Sequence, residues 1–95
     1  MTPQQESVMK DISGDWINHD EMLALCPSVN WGHDSYFMII EPSISRFYPK
    51  TYIWVAIDGR IYYYEDCGSV VLSMIFSKSL DAKMYLKRKR LANFK

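Results

Sequence analysis

A chain of 95 residues has the length of one small domain. With 48% hydrophobic and 15% aromatic residues it carries too much apolar material for an intrinsically disordered segment, which needs few aromatics and a large net charge. The formal net charge is zero, but the charges are segregated. Residues 78–95 hold seven bases (Lys78, Lys83, Lys87, Arg88, Lys89, Arg90 and Lys95) against the single acid Asp81, whereas residues 1–77 hold four bases against ten acids. The chain therefore reads as one domain over 1–95, an acidic body over 1–77 followed by a basic C-terminal helix over 78–95. Such asymmetry fits contact with a polyanion or self-association, and basic residues late in a helix also complement its dipole.

Two cysteines make no disulfide framework, and Cys26 and Cys67 lack metal-ligand spacing. The apolar runs 36–40 and 68–77 fall short of the roughly 20 residues that cross a bilayer. The start of the chain, Met1-Thr2-Pro3-Gln4-Gln5-Glu6, has neither the positive region nor the apolar core of a signal peptide. The expectation is a cytoplasmic protein with no membrane partner.

The first helix has a capping box, Thr2-x-x-Gln5, with Pro3 at the first helical position, where its missing N–H is not needed. Gln5, Val8, Met9 and Ile12 recur at i, i+3, i+4 and i+7 and predict one buried stripe. Gly14 is expected to stop the helix as a left-handed cap. Asp15-Trp16-Ile17 reads as a short extended link. A second capping box, Asn18-x-x-Glu21, opens a second helix, with Ile17 and Met22 as a hydrophobic staple and Met22, Leu23, Leu25 and Cys26 as its apolar face. Pro27 ends it, because a residue before proline is pushed out of the α region.

Residues 28–50 admit two readings. One is a third helix around 34–47, in which Phe37, Ile40, Ile44 and Phe47 keep helical spacing and Pro42 costs about 3 kcal/mol. The other is a strand over 36–40 followed by a short helix with Pro42 in its first turn. Residues 51–65 carry the clearest β signal. Asp58-Gly59 suits a two-residue hairpin turn in which both central residues take positive φ. That turn pairs 57 with 60, 55 with 62 and 53 with 64. One face then holds Ile53, Val55, Ile57, Arg60, Tyr62 and Tyr64, and the other holds Tyr52, Trp54, Ala56, Ile61, Tyr63 and Glu65. Neither face is polar, so both call for cover. Residues 68–76 fit a strand or a buried helix. A last helix over 80–93 puts Leu80, Met84, Leu91 and Phe94 on one stripe and Lys83, Lys87 and Arg90 on another.

No constellation for catalysis stands out. His19-Asp20 and His33-Asp34 are paired imidazoles and carboxylates of the kind a divalent ion uses, but Asn18 to Glu21 is accounted for by helix capping and the donors are few. There is no Gly-rich phosphate loop and no Gly-x-Ser-x-Gly. The expectation is a non-enzyme with no catalytic residue, no metal and no cofactor. The aromatic set Tyr52, Trp54, Tyr62, Tyr63 and Tyr64 fits three roles: cross-strand core pairs, a stacking platform for bases, or a protein interface.

The order helix, short extended segment, helix, third element and hairpin resembles a winged helix-turn-helix. Within it the stretch from Val8 to Leu23 resembles the first two helices of such domains, with a small residue, Gly14, ending the first and a polar cap, Asn18, opening the second. With a basic helix behind the hairpin, the chain is similar to small regulators encoded by phages and mobile elements. The fold class this implies is α+β: N-terminal helices packed on a small antiparallel sheet, the Asp58-Gly59 hairpin as the wing, and a basic C-terminal helix. The resemblance further implies a transcriptional regulator with double-stranded DNA as its partner. Its contacts would come from Ser43, Ser45, Arg46 and Lys50 near the third element, Arg60 on the wing, and Lys83, Lys87, Arg88 and Arg90 in the tail. A homodimer through the final helix or the hairpin is expected with it. The alternative is a small protein-binding inhibitor or adaptor, phage-encoded for example, that works through the aromatic hairpin or the acidic face.

Overall fold

The computed structural model describes residues 1–29, 33–42, 49–68 and 70–89. Helix α1 (Pro3–Asp11) is opened by the expected capping box: Thr2 Oγ1 accepts from the Gln5 amide at 3.2 Å, and Gln5 Oε1 accepts from the Thr2 amide at 2.9 Å. Gln5, Val8 and Ile12 are buried and Met9 is half-buried, as the stripe requires. The end of α1 differs from expectation. The only glycines with positive φ among the described residues are Gly59 and Gly68, so Gly14 is no left-handed cap. Gly14 instead permits a close approach: a Cβ there would lie 2.7 Å from Met38 Sδ. The indole N–H of Trp16 donates to the Ile12 carbonyl at 2.8 Å and satisfies an orphan acceptor beyond the helix.

Strand β1 (Ile17–Asn18) leads into α2 (His19–Leu25), whose Asn18–Glu21 capping box is formed in both directions. Met22 and Cys26 are buried and Leu23 is half-buried, but Leu25 is exposed. One residue step turns a helix by roughly 100°, so when Cys26 faces the core Leu25 faces water.

Tyr36–Glu41 is a strand, β2, so the helical reading does not hold there; residues 43–48, which both readings also covered, lie outside the described residues. Strands β3 (Thr51–Val55), β4 (Ile61–Asp66) and β5 (Val71–Phe76) follow, and the last segment resolves as strand rather than helix. All neighbours are antiparallel in the order β1-β2-β3-β4-β5. Helix α3 (Ser79–Arg88) ends the described chain; Arg90 lies beyond it. Ala82 and Leu86 are its buried residues, whereas Leu80 and Met84 face water, so the expected apolar stripe is displaced; Leu91 and Phe94 lie outside the described residues.

The register between β3 and β4 also differs by one residue from expectation. Val55 pairs with Ile61, Ile53 with Tyr63, and Trp54 with Tyr62. The connection is not a two-residue turn. The Ala56 amide donates to the Arg60 carbonyl and the Gly59 amide to the Ala56 carbonyl, leaving Ile57, Asp58 and Gly59 as a three-residue loop. In such loops only the last residue adopts the left-handed conformation, and here it is Gly59, at φ +87°. A one-residue slip sends side chains to the opposite face. Tyr62 and Tyr64 therefore share a face with Tyr52 and Trp54, while Ile61 and Tyr63 join Ile53 and Val55.

Two apolar clusters result. Val8 and Ile12 of α1 and Ala82 and Leu86 of α3 pack with Met38, Ile53, Val55, Ile61 and Tyr63 on one sheet face. Met22 and Cys26 of α2, with Val29, pack with Phe37 and Tyr52 on the other. No helix among the described residues is long and apolar enough to cross a membrane.

Candidate functional site

The α2 face changes character across the sheet. The ladder registers place Ile17, Phe37, Trp54, Tyr62 and Ile75 in one row across all five strands. Phe37 is fully buried, Trp54 and Tyr62 are half-buried, and Ile75 is 62% exposed. A second row runs Ile39, Tyr52, Tyr64 and Ser73, again from cover to solvent. Dimensions explain the gradient. A helix is about 10 Å across and strands lie about 4.8 Å apart, so one helix shields two or three strands of five. Helix α2 packs over β1 to β3, and among the described residues no helix is placed over β4 and β5 on this side.

That half of the face is aromatic and ordered by direct cross-strand pairing. The Trp54 and Tyr62 rings stack at 4.0 Å with 8° between their planes, and Tyr52 and Tyr64 at 4.9 Å with 29°. Beside them lies a groove of about 380 Å³, lined by Trp54, Tyr62, Tyr64, Ser73 and Ile75 among others. Val71, 55% exposed, continues the apolar surface along β5.

All five aromatic residues singled out by sequence contribute to the lining of this groove, but Tyr52 is itself fully buried beneath α2, and the Tyr63 ring lies in the opposite core against Tyr85 of α3. Burial, and then the neighbouring Glu65 carboxylate, push the Tyr63 hydroxyl far above its ordinary range, so it stays neutral. Val71 and Ile75 were not singled out. Their signal is the uncharged segment directly after the aromatic strand, which becomes informative only once that strand's neighbour is known.

The basic residues divide into two groups. Lys50 pairs with Glu41 at 3.5 Å, Arg60 with Asp58 at 3.3 Å and Lys89 with Glu65 at 2.9 Å. By contrast Lys83, Lys87 and Arg88 on α3 have no ion pair among the described residues. Ser43, Ser45 and Arg46 lie outside the described residues.

The two His-Asp dipeptides converge. The imidazoles of His19 and His33 lie 4.5 Å apart, centre to centre, at a cavity of about 350 Å³ that Asp20 and Asp34 also line. His19 is buried at the start of α2, with its Nδ1 4.0 Å from an Asp20 carboxylate that is almost wholly in water. Among the described residues no three His, Cys, Asp or Glu side chains are placed to hold a metal ion. Cys26 is buried, which pushes its thiol up from the ordinary value, and Cys67 is exposed; both are free.

No protein-family model matches this sequence, and comparisons with curated proteins and with solved structures return no match.

Proposed function

We propose that this chain is a non-enzymatic protein-binding module, an adaptor or inhibitor that takes an apolar or aromatic segment of a partner protein onto the open half of its sheet. The observation that carries this reading is the stacked pair of Trp54 and Tyr62 beside the exposed Ile75. Aromatic rings fixed by a ladder lose little freedom on binding, and Tyr and Trp are enriched in the energetically dominant part of interfaces. The Trp54→Ala and Tyr62→Ala variants are expected to lose a partner retained by the wild type in quantitative co-purification, with an unchanged far-UV spectrum. Full retention by both folded variants removes the reading.

A second reading, a DNA-binding regulator of the winged-helix kind, draws on one observation: Lys83, Lys87 and Arg88 are cations on one helix with no ion pair among the described residues. It predicts duplex binding that weakens with salt, by a logarithmic slope of about 0.9 per phosphate contacted. Gel filtration with and without duplex DNA at two salt concentrations separates the two readings.

A further inference from the structure

Helix α3 carries an apolar stripe on the side it turns away from the sheet. Ala82 and Leu86 are its buried residues, whereas Leu80 is 63% and Met84 50% exposed. Successive helical residues are turned by roughly 100°, so Leu80 and Met84 lie only about 40° apart around the axis, opposite the Ala82–Leu86 side. By the same geometry Lys83 and Lys87 border this stripe on one side and Arg88 on the other. Lys87 and Arg88 are exposed, Lys83 is half-buried, and none of the three has an ion pair among the described residues. Asp81, the one acid of α3, lies beyond Arg88.

We propose that the outward side of α3 is a docking face for an anionic phospholipid surface, with Leu80 and Met84 entering the apolar boundary and Lys83, Lys87 and Arg88 lying among the headgroups. This inference is independent of the protein-binding reading above, which concerns the other face of the sheet. No helix among the described residues crosses a membrane, but a helix that lies on one needs only an apolar stripe bordered by cations.

Charge and shape select this occupant. Duplex DNA would engage the three cations but set Leu80 and Met84 against phosphate. A protein groove that wraps a basic amphipathic helix needs several of its sides, and here the side of Ala82 and Leu86 is committed to the core. A lipid surface needs only the side that α3 leaves outward. The rest of the chain sets the orientation, since residues 1–77 carry ten acids against four bases and an anionic surface repels them. Helix α1 packs beside α3, and its three charged side chains are engaged: Glu6 pairs with Lys10 at 3.6 Å, and the Asp11 carboxylate accepts from Ser79 Oγ. Each basic residue near such a surface contributes about fivefold in affinity, so three give reversible binding that salt screens.

Co-sedimentation of the full chain with phosphatidylserine or phosphatidylcholine vesicles, at low and at high salt and with or without competing duplex DNA, tests the proposal. The chain is expected to pellet with phosphatidylserine at low salt, less at high salt, and not with phosphatidylcholine. Lys83→Gln combined with Lys87→Gln is expected to weaken binding about 25-fold. Leu80→Ser combined with Met84→Ser is expected to weaken it about tenfold or more, although no charge changes. Far-UV spectra check that each variant is folded. Failure to bind phosphatidylserine overturns the proposal, as does equal binding to phosphatidylcholine. Vesicle binding indifferent to the Leu80 and Met84 changes overturns it too, because the stripe then takes no part. Duplex DNA that strips the chain from the vesicles and is itself bound as well by the Leu80 and Met84 variant overturns it in favour of a nucleic acid.

Discussion

The two faces of this sheet are built from alternate residues of the same strands, yet they have opposite fates. On one face Ile53, Val55, Ile61 and Tyr63 are closed off by α1 and α3. On the other, Tyr52 and Phe37 are closed off by α2, while Trp54 and Tyr62 are half-buried and Ile75 is exposed. Hydrophobicity does not separate them, since both faces are apolar. What differs among the described residues is the number of helices available: two cover the first face, and a single seven-residue helix covers part of the second. An apolar row that outruns its helix leaves an apolar patch at the surface.

The sharpest way to break this comparison is to truncate one residue on each face. Ile53→Ala removes a fully buried side chain from the closed face and is expected to cost about 3 kcal/mol in urea unfolding, since the helices above cannot collapse into the void. Tyr62→Ala, on the neighbouring strand but the open face, is expected to cost about 1 kcal/mol, chiefly the lost stacking on Trp54. Equal losses would mean that the open half is core after all.

A smaller effect probes the cover itself. Asn18 caps α2 by accepting from the Glu21 amide at 2.8 Å, and Asn18→Ala is expected to cost about 1 kcal/mol. Because Cys26 is the buried C-cap residue of α2, thiol labelling reads the opening of that helix. The wild type should show one fast thiol, Cys67, and one slow thiol, Cys26, slowed by burial and by a raised thiol pKa. Asn18→Ala should speed the slow phase and leave the fast phase alone.

Much of the fold was legible in the residues. Both capping boxes form as the spacing demands, because Thr2–Gln5 and Asn18–Glu21 are local arrangements decided within one turn. Register was not legible. Asp58-Gly59 fits a two-residue turn and a three-residue loop equally well, and the choice depends on which face Ile61 and Tyr63 must present to α1 and α3. That slip reassigned the tyrosines, burying Tyr63 and gathering Tyr62 and Tyr64 beside Trp54. The edge position of β5 was equally hidden, because strand order is a property of the whole sheet. The same holds for Leu80 and Met84: a stripe of apolar residues marks one side of a helix, but Ala82 and Leu86 mark the side that α3 turns inward.

The smallest expected effect lies at the rim of the closed face, where Lys89 Nζ donates to Glu65 Oε2 at 2.9 Å. That hydrogen bond and the ammonium charge hold the Glu65 carboxyl below its ordinary value, against the opposing influence of partial burial. A carboxyl whose folded pKa is depressed stabilises the fold fully above its unfolded pKa, and loses that contribution as pH falls through the folded one. Glu65→Gln removes the contribution and should lower Tm by under about 5 °C at neutral pH, because a partly exposed pair is screened by solvent. The gap between wild type and variant should then narrow as the solution is acidified below the ordinary carboxylate range. A gap independent of pH would instead assign the loss to packing of the Glu65 side chain over Tyr63 rather than to its charge. In that case the rim would be closed by contact, as the rest of that face is.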